Sequence, residues 1–152
     1  MISKFLYFFL LPTYKKNLKS KLNSFLRPTK GTYFIFDSAI SPITNSDNGT
    51  FKNIVTHKKY SKFDLNVFSI QTKIGNIFSL QNNEIPVDDK FSLGGRWLRG
   101  FDMHGVGPRD SRTSYIGGKN VIAAKFDFQR PIFDNTDNPI DFRTFVKQLL
   151  WQ

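Results

Sequence analysis

The sequence has no cysteine among its 152 residues. A disulfide scaffold, a thiolate metal site and a cysteine nucleophile are therefore excluded, while any compartment remains open. Histidine is nearly as scarce: His57 and His104 are the only two, and neither stands at ligand spacing to the other or to a carboxylate. Acid is in short supply, with 12 Asp and Glu against 22 Lys and Arg and a formal net charge of +10. Long apolar runs are missing as well. The richest, residues 5–11 behind Lys4, falls well short of the ~20 apolar residues a transmembrane helix needs. It imitates the core of a signal peptide, yet residues 12–16 offer no small-x-small cleavage site. No serine lies in a Gly-x-Ser-x-Gly elbow, and no glycine pair leads into the Lys-Ser/Thr of a phosphate loop. Asp88 and Asp89 are adjacent and would project to opposite faces if extended. These gaps leave no enzyme signature, and no catalytic residue, metal or cofactor is expected.

What the chain does have is phenylalanine. Seventeen residues are Phe and 16% are aromatic, within a hydrophobic total of only 39%. High aromatic and low aliphatic content suits sheets with one apolar face better than a dense helical core. Residues 15–22 are basic with Leu18 and Leu22 four apart, which fits a short amphipathic helix or a polar turn. From Gly31 the period becomes two. Residues 33–40 are β-prone on both faces, and Asn45-Ser46-Asp47-Asn48-Gly49 supplies a turn. Residues 50–60 put Ile54, Thr56 and Lys58 on one face and Phe51, Asn53, Val55 and His57 on the other, with a turn expected at Ser61-Lys62. In residues 64–80, Phe68, Ile70, Thr72, Ile74 and Phe78 share one parity; Val67, Ser69, Gln71 and Lys73 share the other. The cleanest alternation is in residues 121–130, with Ile122, Ala124, Phe126 and Phe128 against Lys125, Asp127 and Gln129. Pro131 is expected to end that strand. Residues 140–151 read as a further strand or a frayed helix. This apolar-out, polar-in pattern is that of a barrel wall, although soluble β-sandwiches and ligand-binding barrels alternate in the same way. The pattern marks four to five strands.

The most informative stretch is Gly94-Gly95-Arg96-Trp97-Leu98-Arg99-Gly100-Phe101, followed by Val106-Gly107-Pro108-Arg109 and Ile116-Gly117-Gly118-Lys119-Asn120. Glycine serves where the backbone needs positive φ or where chains approach closely. Glycines bracketing one arginine describe a tightly folded loop that places a single guanidinium. This ordered set resembles the arginine-loop segment of the BamA family of outer-membrane assembly barrels, the bacterial surface antigen superfamily. Arg27-Pro28-Thr29-Lys30-Gly31 resembles the same family's N-P-T-K-G turn. The resemblance runs from Leu26 to Ile132.

The resemblance implies an all-β fold: an antiparallel sheet forming a partial segment of a transmembrane β-barrel. Residues 1–25 are left unassigned, residues 26–152 form the partial barrel domain, and the arginine loop occupies about residues 94–118. It also implies that Arg99, Gly100 and Phe101 form a loop tip folded back into the lumen, with Gly94, Gly95, Gly107, Pro108, Gly117 and Gly118 as the loop's backbone frame. In the family the arginine pairs with an aspartate of an aromatic-x-Asp-x-Gly strand beyond the region matching residues 142–146. The sequence ends before such a strand, so a gene fragment is expected and Asp127 becomes the candidate substitute partner. A guanidinium suits the task because its planar fork makes paired bonds to a carboxylate.

The implied function is folding and insertion of β-barrel proteins into the Gram-negative outer membrane. The implied partners are unfolded β-barrel clients, assembly-complex lipoproteins, and outer-membrane lipid or lipopolysaccharide. The alternatives are a translocation or secretion relative and a soluble β-barrel ligand-binding protein. The basic run Lys15, Lys16, Lys19, Lys21, Arg27 and Lys30 reads as a solvated face or a contact with anionic lipid. A nucleic-acid patch built from Arg96, Trp97, Arg99 and Phe101 fits the glycine bracketing less well than a fixed loop tip, and no nucleic-acid partner is expected.

Overall fold

The computed structural model describes residues 13–41, 49–81, 83–95, 97, 101–133 and 140–151. They form one six-stranded antiparallel sheet in the order β1-β2-β3-β4-β5-β6, a simple up-and-down meander. The strands are β1 (Thr13–Leu22), β2 (Gly31–Ser41), β3 (Thr50–Phe63), β4 (Asn66–Ser79), β5 (Asn120–Phe133) and β6 (Ile140–Trp151). The only helical element among the described residues is a single 3-10 turn at Val87–Asp89. The all-β, antiparallel expectation holds, with six strands where the sequence pattern marks four or five.

Three local expectations are corrected, and the alternative left open at residues 140–151 is decided. Residues 15–22 are neither helix nor turn. They lie in β1, whose ten residues pair in unbroken register with Gly31–Ile40 of β2. The leucine spacing of four suits a strand equally, because both leucines then fall on the same parity, and the edge offered by β2 decides. The turn expected at Ser61-Lys62 is at Asp64-Leu65, since β3 pairs with β4 as far as Phe63↔Asn66. Asp64 takes the left-handed φ of 54° there, a conformation aspartate tolerates. Pro131 does not end β5. The strand continues to Phe133 through a register shift between Pro131 and Phe133, where a bulge accommodates a residue with no N–H to give the ladder. Residues 140–151 are strand β6, not helix.

The turn from β1 to β2 contains the Arg27–Gly31 segment. Asn23 organises it: its Oδ1 accepts the backbone N–H groups of Thr29 and Lys30, both at 3.0 Å, and its Nδ2 donates to Thr29 Oγ1 at 2.8 Å.

Register divides the side chains between two faces. Across β3, β4 and β5 one face carries Ile54, Gly75 and Val121 in a row, then Thr56, Lys73 and Ala123, then Lys58, Gln71 and Lys125. This face is called inner here. The outer face carries Val55, Ile74 and Ile122, then His57, Thr72 and Ala124, then Lys59, Ile70 and Phe126. The alternation expected for residues 64–80 and 121–130 is the one observed. The long connection of residues 80–119 and the link from β2 to β3 lie at one end of the sheet. Short turns at residues 23–30 and 64–65 close the other.

Candidate functional site

The connection between β4 and β5 lies over the inner face instead of standing away from the sheet. The buried cluster consists of Ile77, Val121 and Ala123 from the sheet and Ile85, Phe91 and Leu93 from the connection, with Ile54, Trp97 and Val106 packed against it. The buried core is therefore the seam between loop and wall. Phe91 is the central piece. Its ring sits above Gly75 of β4, where a Cβ would lie 2.8 Å from the ring tip and 3.0 Å from Val121 Cγ1. Glycine here lets the loop approach the sheet. Lys52 of β3 closes the same contact from the side, with Nζ 4.6 Å from the Phe91 ring centroid and 2.7 Å from the carbonyl oxygen of Asp89. Lys73 of β4 stands 5.6 Å from the Trp97 ring centroid, a cation over an aromatic face.

The loop is folded by its own ladder. Phe91 and Gly118 exchange backbone hydrogen bonds at 2.9 Å each way, and Leu93 and Val106 do so at 3.3 and 2.9 Å. Gly94 lies beyond this pair, and a Cβ on it would strike the carbonyl oxygen of Asp102. The two limbs of the loop thus close on each other only because position 94 has no side chain. Gly95 N–H donates to the Phe101 carbonyl at 3.1 Å. Gly107 follows the Val106 bridge, and the carbonyl of Pro108 accepts the Ile116 N–H at 3.0 Å. Gly117 precedes the Gly118 bridge that returns the chain to β5. The expected frame residues Gly94, Gly95, Gly107, Pro108, Gly117 and Gly118 therefore all lie in one folded unit. Arg96, Leu98, Arg99 and Gly100 lie outside the described residues, and Phe101 is half-exposed.

A second small unit sits at the far end of the loop. Tyr115 hydroxyl donates to the Gly105 carbonyl at 2.7 Å and receives a bond from Arg109, whose guanidinium lies 4.2 Å from the Tyr115 ring centroid. Asp110 Oδ1 accepts the backbone N–H groups of Arg112 and Ser114, each at 2.9 Å. Ser92 Oγ and His104 Nδ1 are 2.7 Å apart and tie the outgoing limb to the returning one.

Asp127 lies on the inner wall, as its parity requires. It is held by Lys125 at 3.2 Å, Lys58 at 3.8 Å and Ser69 Oγ at 3.2 Å. The inner face of β1–β5 otherwise carries Asp37 as its only other carboxylate, against Lys16, Lys52, Lys58, Lys62, Lys73 and Lys125. The wall under the loop is thus strongly cationic.

Phe91, Lys52 and Lys73 are contributors that the sequence pattern does not single out. One signal for them does exist: Gly75 interrupts an otherwise β-prone strand, and an isolated strand glycine marks a close approach of another chain segment.

Comparison with known proteins gives the geometry its context. The Omp85 superfamily domain matches residues 16–146. The Sorting and assembly machinery component 50 homolog of Mus musculus is 28% identical over 112 residues, covering 72% of this chain and 24% of that protein. The Sorting assembly machinery 50 kDa subunit of Saccharomyces cerevisiae is 31% identical over 107 residues, covering 68% of this chain and 22% of that protein. A SAM50-like protein of Schizosaccharomyces pombe is 35% identical over 65 residues, 42% of this chain and 14% of that protein. The chain spans less than a quarter of the length of each of these relatives. The domain match takes in all of β2 to β5 and the whole inward loop: this chain belongs to the Omp85 superfamily, as a BamA-type member that forms a segment of its β-barrel.

Proposed function

We propose that the chain supplies wall strands and the inward loop of an outer-membrane barrel that folds and inserts other β-barrel proteins. The observation that carries this reading is the glycine-framed loop packed on the inner wall, within an Omp85 domain match whose relatives are named as sorting and assembly machinery. The chemistry is non-covalent. An unpaired strand edge in lipid leaves N–H and C=O groups unsatisfied at a cost of several kcal/mol each. A barrel that offers such an edge to an incoming strand lowers the barrier to pairing. The loop's part is to hold the wall in shape from within, since its buried contacts bind β4 and β5 to residues 85–106. In this reading Arg99 is the loop tip, and its guanidinium reaches a lumenal carboxylate. Asp127, already shared by two lysines, is the substitute that the chain itself offers.

Two membranes fit. The fungal and mammalian origin of the relatives favours the mitochondrial outer membrane. The arginine-loop resemblance to the BamA family favours the Gram-negative one, with lipopolysaccharide and lipoproteins as partners. Cell fractionation in the source organism separates them.

The test is reconstitution of the full-length protein in liposomes with a urea-unfolded β-barrel client, followed by heat-modifiable gel mobility. Assembly predicts that the client folds faster than in empty liposomes, and that Arg99→Ala slows it. Client folding at the empty-liposome rate overturns the reading. A client recovered inside the vesicle, protease-protected and unfolded, favours a secretion relative instead.

A further inference from the structure

The outer face of the sheet is uneven in charge. Both carboxylates of β1–β5, Asp37 and Asp127, fall on the inner face, so the outer face of these strands carries none. It does carry cations: Lys15, Lys19 and Lys21 on β1, Lys59 on β3 and Arg130 on β5. Lys21 of β1, Thr32 of β2 and Lys59 of β3 lie in one register row. Strands lie about 4.8 Å apart, so the two lysines start about 10 Å from each other, and both long side chains can meet at one phosphate between them. Lys21 and Lys59 are exposed. Pairing of a further strand along the edge of β1 would leave these outward side chains uncovered.

Beside this row is a shallow groove of about 360 Å³, lined by Lys59, Ser61, Phe68, Ile70, Phe126 and Phe128 of the outer face and bordered by Ser69, Asp127 and Thr144. The Phe68 and Phe128 rings are 5.1 Å apart, centroid to centroid. The adjoining turns expose large apolar side chains: Phe25 is 85% exposed, Leu26 96% and Phe63 76%. An end of the sheet that joins exposed cations to exposed aromatics has the composition of a membrane-interface girdle.

From this juxtaposition we infer a binding site for an anionic phospholipid at the short-turn end of the outer face, with the phosphate held by Lys21 and Lys59 and an acyl chain lying on Phe68, Ile70, Phe126 and Phe128. The inference rests on the reading of the chain as a barrel wall and names the lipid class that the wall selects. Charge complementarity commits the site to an anionic headgroup: the one carboxylic residue lining the groove, Asp127, has inner-face parity and is engaged by Lys58, Lys125 and Ser69, so the cation of a zwitterionic headgroup meets no carboxylate on the outer face of these strands.

The experiment uses the full-length protein in nanodiscs of phosphatidylcholine containing a minor fraction of phosphatidylglycerol. Spin-labelled phosphatidylglycerol and spin-labelled phosphatidylcholine are compared for the motionally restricted fraction. The wild type is expected to prefer phosphatidylglycerol. Each of Lys21→Gln and Lys59→Gln is expected to lower the preference by about fivefold, in keeping with the attraction of one surface lysine to anionic lipid. Lys21→Arg with Lys59→Arg keeps the preference, and so does Lys15→Gln, which lies on the same outward parity away from the groove. Heat-modifiable gel mobility checks that each variant is folded. No preference in the wild type, or a preference unchanged in the folded double glutamine variant, overturns the site. So does a protein partner lost from the double variant while lipid selectivity stays, which assigns the lysines to a protein surface. Client insertion is scored in the same samples. Insertion without lipid preference overturns the site and leaves the assembly reading standing; lipid preference without insertion does the reverse.

Discussion

Successive residues of β5 live in different surroundings. Val121 and Ala123 are 1% and 2% exposed, whereas Ile122 between them is 48% exposed. The same holds on β4, where Ile77 is buried while Ile74 and Phe78 stand out. Along these strands the outer face is the more apolar, with Phe68, Ile70, Ile74, Phe78, Ile122 and Phe126 against Val67, Ile77, Val121 and Ala123 on the inner face. The two faces also differ in what covers them: the inner face has residues 85–106, and the outer face has no protein cover among the described residues. A sheet that spends Phe and Ile on an uncovered face is built for a lipid neighbour, because apolar area left in water forfeits roughly 25 cal/mol per Å². The loop, in turn, is what makes the inner face a protein core. One consequence is that damage should depend on parity, with inner substitutions acting through the loop and outer ones through the membrane.

The sharpest way to break this contrast is to remove the loop's central ring. Phe91→Ala should cost about 3–5 kcal/mol, the usual range for a buried Phe. Limited proteolysis should then cut within residues 92–118 while the strands stay protected. If the cleavage pattern is unchanged, Phe91 does not pin the loop.

Charge placement comes next. Ile74→Arg, on the outer face, should cost about 2–4 kcal/mol if that position is near the bilayer midplane. Gln71→Glu, which puts a charge on the inner face of the same strand between Lys58 and Lys125, should change stability by about 1 kcal/mol or less. Urea titration in lipid vesicles measures both, and equal effects would erase the distinction between the faces.

Gly75→Ala pushes a methyl group toward the Phe91 ring and should cost about 1–3 kcal/mol, as overpacking does. In the Phe91→Ala background the same substitution should cost clearly less, because the closest contact is gone and only that to Val121 Cγ1 remains. Additive effects would mean that the ring and the glycine do not meet.

Asp127 comes last. Its ion pairs with Lys58 and Lys125 are partly open to solvent, so Asp127→Asn should lower stability by about 1 kcal/mol or less. A much larger loss of client insertion than of stability would point to the Arg99 pairing instead.

How much of this was legible beforehand varies by element. β2, β4 and β5 announce themselves through period-two alternation. The glycine pairs at 94–95 and 117–118 mark the loop because close backbone approach excludes side chains at such positions. β1 was opaque, since a strand whose outward residues are Thr13, Lys15, Asn17, Lys19 and Lys21 shows no apolar alternation; its pairing with β2 is a tertiary fact. The same is true of the cover. Ile85 sits in a polar stretch that reads as an ordinary loop, and Phe91 acquires its role only when the chain folds back onto Gly75. Proline at 131 misled because a bulge, which no local rule anticipates there, lets the strand continue.

The measurement closest to the central claim exploits the absence of cysteine from these 152 residues. Single substitutions to cysteine at Val121, Ile122, Ala123 and Ala124 in the membrane-inserted protein can be labelled with nitroxide and probed with oxygen and with a water-soluble nickel chelate. The account predicts that labels at 122 and 124 are reached by oxygen and not by the chelate, while labels at 121 and 123 are shielded from both by the loop. If 121 and 123 are as open to the chelate as a lumen free of protein would leave them, the loop does not cover the wall and the account fails.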